Sequence, residues 1–531
     1  MHPRIALALA GVVVTAPQPV RLLAQTPLRT YSDAFIQRSE RTAPKVDYTV
    51  TVVEGDWSAL YVELAIANAP NPARLVIPAW APGNYSLMAS AKNITGVAAF
   101  TETGEPLAVT PDSANGWTVD TKGAARIVVR YAAADRREHG FWSRANNRWF
   151  LRASSGLIDG PRTFMYLDGW KLTPSHVTFR LPTGWQIGTG LVSTTDSTVY
   201  WAPSYDVLID SPVLLGRFVT HQFTAGGVPH RAVVDLNGTA PAYDAAAFTD
   251  MLRRISETAI GIFGAAPYKD FTFIFTGIGG GLEHLNSTTI GIDPARLARD
   301  PWYRRETTAH EFFHAWNVKR IRPAELGPFD YTRPVRTLGL WVSEGVTDYY
   351  TELILVRAGL DSTPEFERKI ATAITSHRGN PGRLAISPER ASWTTWDGRE
   401  ANGGESISYY LQGQLLGLLL DLTIRDSTDN RRSLDDLMRY LYDHYAGERG
   451  FTSEDVLNAA LAATGLDLHD FWRKFVSGTT EIPWNSFLRA AGWKVDFAPI
   501  ATSSNLAGRL RDLPVLTEKQ RRIRAGILTG R

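Results

Sequence analysis

The sequence predicts a multidomain α+β chain, with an antiparallel β domain first, an α/β domain next and a helical part after it. Three observations carry this prediction. Apolar and polar residues alternate from Val46 onward, the period of a half-buried strand. The period changes near residue 240, where 245–263 has apolar residues at helical spacing. Beyond residue 400 helical patterns dominate, led by the strongly apolar stretch 406–425. A length of 531 residues leaves room for about three domains, each able to bury a core.

Taken in order, the chain opens with a charged start, Met1-His2-Pro3-Arg4, and an apolar run over 5–16. This is the pattern of a signal peptide over 1–24, with cleavage after Ala24 despite the bulky Leu22, and the run is too short to span a bilayer. Residues 25–44 read as a polar linker. The β domain is placed at 45–225: Val46, Tyr48, Val50 and Val52 alternate with Asp47, Thr49 and Thr51, and the pattern returns at 60–66, 126–131 and 177–181. Trp80-Ala81-Pro82-Gly83-Asn84-Tyr85 reads as a structural turn flanked by aromatics. The second domain is placed at 226–385. It has a helix at 245–263, a short strand at 270–276 and a glycine run, 277–281, ahead of Leu282-Glu283-His284. Asp300-Pro301 suits a helix start, and a further helix over 340–358 stops at Gly359. The helical part is placed at 386–497, with helices at 406–425, 433–445, 453–463 and 468–476. Residues 498–531, with Arg521, Arg522 and Arg524, read as a solvated basic tail.

Composition excludes several functions. Apolar residues at 44% and charged residues at 21% are globular proportions, so most of the chain is not disordered. A formal charge of +2 is too small for a surface that holds nucleic acid. Without cysteine there can be no disulfide, thiolate metal site or cysteine nucleophile, so any metal must sit on His and carboxylate. Such a chain suits a bacterial periplasm, the expected destination. No segment after the N-terminal run reaches 18 uncharged apolar residues, so no membrane span is expected in the mature chain.

The strongest chemical signal is His310-Glu311-Phe312-Phe313-His314. Histidines four apart on a helix differ by about 40° in azimuth and about 6 Å along the axis, so both can reach one cation. Glu311 lies on a neighbouring face, where it can hold a water beside the metal and take its proton. A catalytic zinc takes three protein ligands and keeps a position open. Glu344, in Trp341-Val342-Ser343-Glu344-Gly345 on the next predicted helix, can be the third. Asp348, one turn on, can accept the second ring N–H of a ligand histidine.

At these residues the chain resembles the gluzincin metallopeptidases, specifically the glycyl aminopeptidase family related to aminopeptidase N. The carrying stretches are 280–284, 310–320, 340–350 and Tyr409-Tyr410-Leu411-Gln412-Gly413. The resemblance implies a thermolysin-like α/β zinc-peptidase domain, with the helical part over its cleft. It also implies that Glu283, after Gly280 and Gly281, binds the substrate's α-amine, and that Tyr410 donates to the tetrahedral oxyanion. The sequence departs from the pattern in a longer gap between His314 and Glu344, filled by 319–336. It also has Gln412 where a lysine is usual, and the C-terminal PDZ domain that members usually carry is not expected in it.

The expected function is thus that of an exported Zn2+-dependent aminopeptidase, acting on peptides with a free N-terminus and favouring small first residues, Gly and Ala. A metalloendopeptidase would share the metal chemistry and leave Glu283 unused. A peptide-binding protein on an inactive peptidase fold would have lost a ligand or the base, and neither is missing here.

Overall fold

The computed structural model describes residues 43–134, 150–237, 243–277, 279–499 and 506–530, so the predicted signal peptide lies outside the described residues. The alternation at Val46 becomes the strand Lys45–Thr51, with Val46, Tyr48 and Val50 buried and Lys45 and Asp47 exposed. This strand is central in an eight-stranded sheet. It pairs antiparallel with Ala59–Ala67 but parallel with Ser175–Arg180, so the domain is not wholly antiparallel as the sequence suggested. A long stretch of chain separates the two parallel strands, which such pairing requires. Two four-stranded sheets complete the domain around a core of Val50, Leu64, Ile66, Leu75, Ile127 and Val129.

The β domain ends earlier than residue 225. Its last strand is Val213–Gly216; the next, Val219–Ala225, forms a hairpin with Val228–Val234 that belongs to the following sheet. That five-stranded sheet continues through Phe271–Thr276 and Ser287–Gly291, both parallel, to an antiparallel edge strand, Gly281–Glu283. Phe271–Thr276 is buried at every position, as a central strand covered on both faces must be. Against the sheet packs Ala245–Phe263, begun by an Asp244 side-chain cap and ended at Gly264 with φ +85°.

The metal-motif helix starts at Arg305, not at Pro301. Asp300 instead caps a turn by accepting from Trp302 N at 2.9 Å, and Arg304 sits at φ +75°, held there by its guanidinium donating to Gly291 O at 2.7 Å and Gly280 O at 3.2 Å. One apolar core then runs from Ala225 to Ile527. It crosses the expected boundary at residue 385 without a break and includes Thr363–Gly379, a helix the sequence reading missed.

The basic tail is also corrected. Leu506–Asp512 pairs with Trp493–Pro499, and Glu518–Thr529 is a helix that buries Ile523 and Ile527 in the main core. The arginine run concealed an amphipathic helix with two isoleucines four residues apart and a Thr517–Gln520 capping box. Among the described residues no helix is long and apolar enough to cross a membrane.

The insertion 319–336 returns to the β domain and plants Tyr331 in its core. Ala79 N donates to Tyr331 O at 2.8 Å, Trp80 Nε1 to Asp330 O at 2.6 Å, and Tyr331 Oη to Asp206 Oδ1 at 2.7 Å.

Candidate metal centre

The helix Arg305–Phe313 buries Phe312 and Phe313 and leaves His310 and His314 on the side facing the chain that follows Leu340. That chain enters as a widened, π-helical turn, Trp341–Val346, which passes into the α-helix Thr347–Arg357. The wide turn is held by Asn317. Its side-chain amide donates to Val342 O at 2.9 Å and to Thr347 Oγ1 at 3.1 Å, while its backbone carbonyl accepts from His314 Nδ1. The turn also presses against Tyr409–Ser427, glycine to glycine: a Cβ on Gly345 would lie 2.4 Å from Gly413 Cα.

These elements bring His310, His314 and Glu344 together. The two Nε2 atoms are 3.0 Å apart, and Glu344 Oε2 is 3.6 Å from His310 Nε2 and 3.3 Å from His314 Nε2. The other ring nitrogens are occupied. His310 Nδ1 meets Asp348 Oδ1 at 2.8 Å, and His314 Nδ1 meets Asn317 O at 2.5 Å. Since a carbonyl only accepts, Nδ1 of His314 carries a proton, which leaves Nε2 as the ring atom that faces Glu344. Two imidazole nitrogens and a carboxylate oxygen converge, the donor set that suits a catalytic zinc.

Charge around the centre agrees. Burial would raise the Glu344 carboxyl, but the His314 and His310 imidazoles outweigh it and hold it well below the usual carboxylate range. Burial would likewise depress His310, yet Asp348 and Glu344 lift it well above its ordinary value.

Glu311 and Glu283 stand beside these ligands, each with a carboxylate oxygen within 4.8 Å of a His314 ring nitrogen and of the other. Gly281 explains how Glu311 fits, for a Cβ there would fall 1.9 Å from Glu311 Oε1. Gly280, at φ +84°, turns the chain into the edge strand and accepts from Gly291 N at 2.8 Å. Glu283 is 3% exposed, and among the described residues its Oε1 has no hydrogen-bond partner. A buried carboxylate oxygen left unpaired fits a cationic ligand group arriving from outside. Tyr410 stacks its ring on His310 with centroids 6.2 Å apart. Burial, and after it Glu344, Tyr409 and Glu283, raise its phenol well above the ordinary value, so it stays protonated and able to donate.

Three residues at the site escaped the sequence reading. Asn317 stands inside a quoted stretch but gave no sign of its role. Tyr85 belongs to the turn read as structural; the turn instead reaches the cleft, where a Cβ on Gly83 would lie 2.4 Å from Glu283 Oε1. Burial first, then Glu344 and Glu283, push the Tyr85 phenol above its ordinary value. Asp210 approaches from the β domain and accepts from Leu285 N at 3.0 Å.

Comparison with known proteins follows the same division of the chain. The M61 glycyl aminopeptidase family matches residues 304–416, and the peptidase M61 N-terminal domain matches 47–217. No curated protein sequence matches the chain. Among solved structures, an aminopeptidase N family protein from Idiomarina loihiensis is similar with TM-score 0.79 at 24% identity, over 87% of this chain and 81% of that one. An M1 zinc metallopeptidase from Deinococcus radiodurans has TM-score 0.52 at 15% identity, over 83% and 95%. Yeast LTA4 hydrolase in complex with bestatin has TM-score 0.54 at 13% identity, over 85% and 71%.

Proposed function

The chain belongs to the M61 glycyl aminopeptidase family, and from that premise we propose a zinc-dependent aminopeptidase that removes small first residues, Gly and Ala, from peptides. The observation that carries the reading is the convergence of His310, His314 and Glu344 beside Glu283, whose Oε1 has no hydrogen-bond partner among the described residues. In this reading His310, His314 and Glu344 hold the metal, and Asp348 and Asn317 fix the two ring tautomers. Bound zinc supplies a Lewis acid that polarises the scissile carbonyl.

The chain's own groups do the rest. Glu311 takes a proton from the attacking water and returns it to the leaving amine, as a general base then acid. Tyr410 donates its phenolic hydrogen to the oxygen that becomes negative. Glu283 pairs with the α-ammonium and sets the first peptide bond over the centre. Gly83, with no space for a Cβ beside Glu283, and Tyr409, whose ring stacks on Tyr410 with centroids 4.9 Å apart, crowd this end of the cleft, which supports a small first residue. Export is proposed on the charged-then-apolar pattern of 1–24.

One experiment tests the reading. A short Gly- or Ala-leading peptide and its N-acetyl form are incubated with the enzyme, with and without a chelator. Acetylation removes the charge that Glu283 meets, which costs roughly 2 to 4 kcal/mol, or about 30- to 1000-fold in kcat/KM. Both activities should vanish with the chelator and return with zinc. Equal cleavage of the two peptides, or internal cuts in a long blocked peptide, would make the enzyme an endopeptidase.

A further inference from the structure

Behind the edge strand Gly281–Glu283 lies a cavity of about 910 Å³ between the β domain and the peptidase module. Side chains alternate across a strand. Glu283 faces Glu311 and the metal ligands, whereas Leu282 and His284 face this cavity. The strand is therefore an edge with one neighbour, Ser287–Gly291, and open space at its back. The cleft side of the strand lies against Gly83 and Glu311, which leaves its other side to be tied down.

What fixes it is Asp210, which follows the short helix Tyr205–Ile209 of the β domain. Its carboxylate accepts from Leu285 N at 3.0 Å, meets His284 Nδ1 at 3.2 Å and takes the Lys319 ammonium at 2.8 Å. His284 and Leu285 immediately follow Glu283, and Lys319 lies five residues after the ligand His314. His284 and the Lys319 side chain are 6% and 7% exposed, so these bonds form in a poorly solvated place. Burial would raise the Asp210 carboxyl, but Lys319 and His284 hold it below the ordinary range, so it is charged.

We propose that Asp210 is a positioning residue for the amine anchor: it ties the Glu283 strand to the metal-motif segment from the β-domain side. The proposal rests on the assignment of Glu283 to the substrate amine. Displacement of a positioned group by about 1 Å can cost about 10²-fold, and loss of an orienting partner about 10- to 100-fold.

The test uses the full-length zinc enzyme and the free and N-acetyl Gly-leading peptides. Asp210→Asn keeps the size and removes the charge. It should keep its zinc, lower kcat/KM on the free peptide about 10- to 100-fold, mainly through KM, and change the acetylated peptide by less than about threefold. Asp210→Glu should restore part of the loss. If Asp210→Asn does not fold with Lys319 unpaired, the double variant Asp210→Asn/Lys319→Met removes both charges and is read in the same way. A parallel fall on both peptides, or no fall on either, overturns the proposal while the aminopeptidase reading stands. A wild type indifferent to acetylation overturns that reading and this proposal together.

Discussion

Tyr410 has a hydroxyl that is useful only while it keeps its proton, and its surroundings see to that. Burial acts first, and the carboxylates of Glu344 and Glu283 add to it. Tyr410→Phe keeps the ring that stacks on His310 and removes only the donor. We expect kcat to fall about 10²- to 10³-fold, with KM nearly unchanged and zinc content intact, because that bond forms mainly in the transition state. Steady-state kinetics beside a metal assay decide it; an unchanged kcat would leave Tyr410 a packing residue. At this scale legibility depends on range. His310, Glu311 and His314 could be read because helical spacing alone puts them together. Asn317, Tyr85 and Asp210 could not, since each owes its place to chain far away in sequence, and a single polar residue leaves no periodic trace.

Two helices cross at the ligand Glu344 with no side chain between them. A Cβ on Gly413 would lie 2.2 Å from Trp341 O and 2.7 Å from Gly345 Cα. The wide turn Trp341–Val346 can therefore approach Tyr409–Ser427 closely enough for Glu344 and Tyr410 to share one cleft. Gly413→Ala should force the two apart, cost about 1–3 kcal/mol in stability and weaken zinc about tenfold or more, as displaced ligand geometry does. Gly261→Ala is the control. It lies exposed in the last turn of Ala245–Phe263 with nothing within 4 Å of its Cβ, and should stabilise by about 0.5–1 kcal/mol. Denaturation and zinc-competition titrations compare the two; if they behave alike, the crossing does not position Glu344. Elements were legible where one signal ruled, as in 245–263, bounded as the periodicity predicted. They were lost where signals competed. Asp300-Pro301 looked like a helix start but capped a turn, and the arginines of 518–529 masked a stripe of isoleucine.

The β domain and the peptidase module each have a large apolar core, two smaller clusters bridge them, and among the described residues Tyr331 is the fully buried peptidase residue of the β core. It comes from the insertion 319–336, which the sequence marked only as a longer gap between two ligands. Its ring is 1% exposed, lies against Trp80, Tyr205 and Tyr166, and takes the Lys171 ammonium 4.8 Å from its centroid. The Asp210 carboxylate makes a second tie between the same two parts. With these ties intact, the two cores should unfold in one calorimetric transition. Tyr331→Phe loses only the hydrogen bond to Asp206 and should cost about 1.5–3 kcal/mol within that single transition. Tyr331→Ala empties a ring-sized space, which costs about 3–5 kcal/mol, nearly all of it in the β domain and its contact. The transition should then split, with the β domain melting first. Because Gly83 and Asp210 come from that domain, hydrolysis of free-amine peptides should fade across the first transition, while zinc, held by His310, His314 and Glu344, is released only in the second. A single transition in Tyr331→Ala, with zinc and activity lost together, would show that Tyr331 is one core residue among many and that the coupling lies elsewhere.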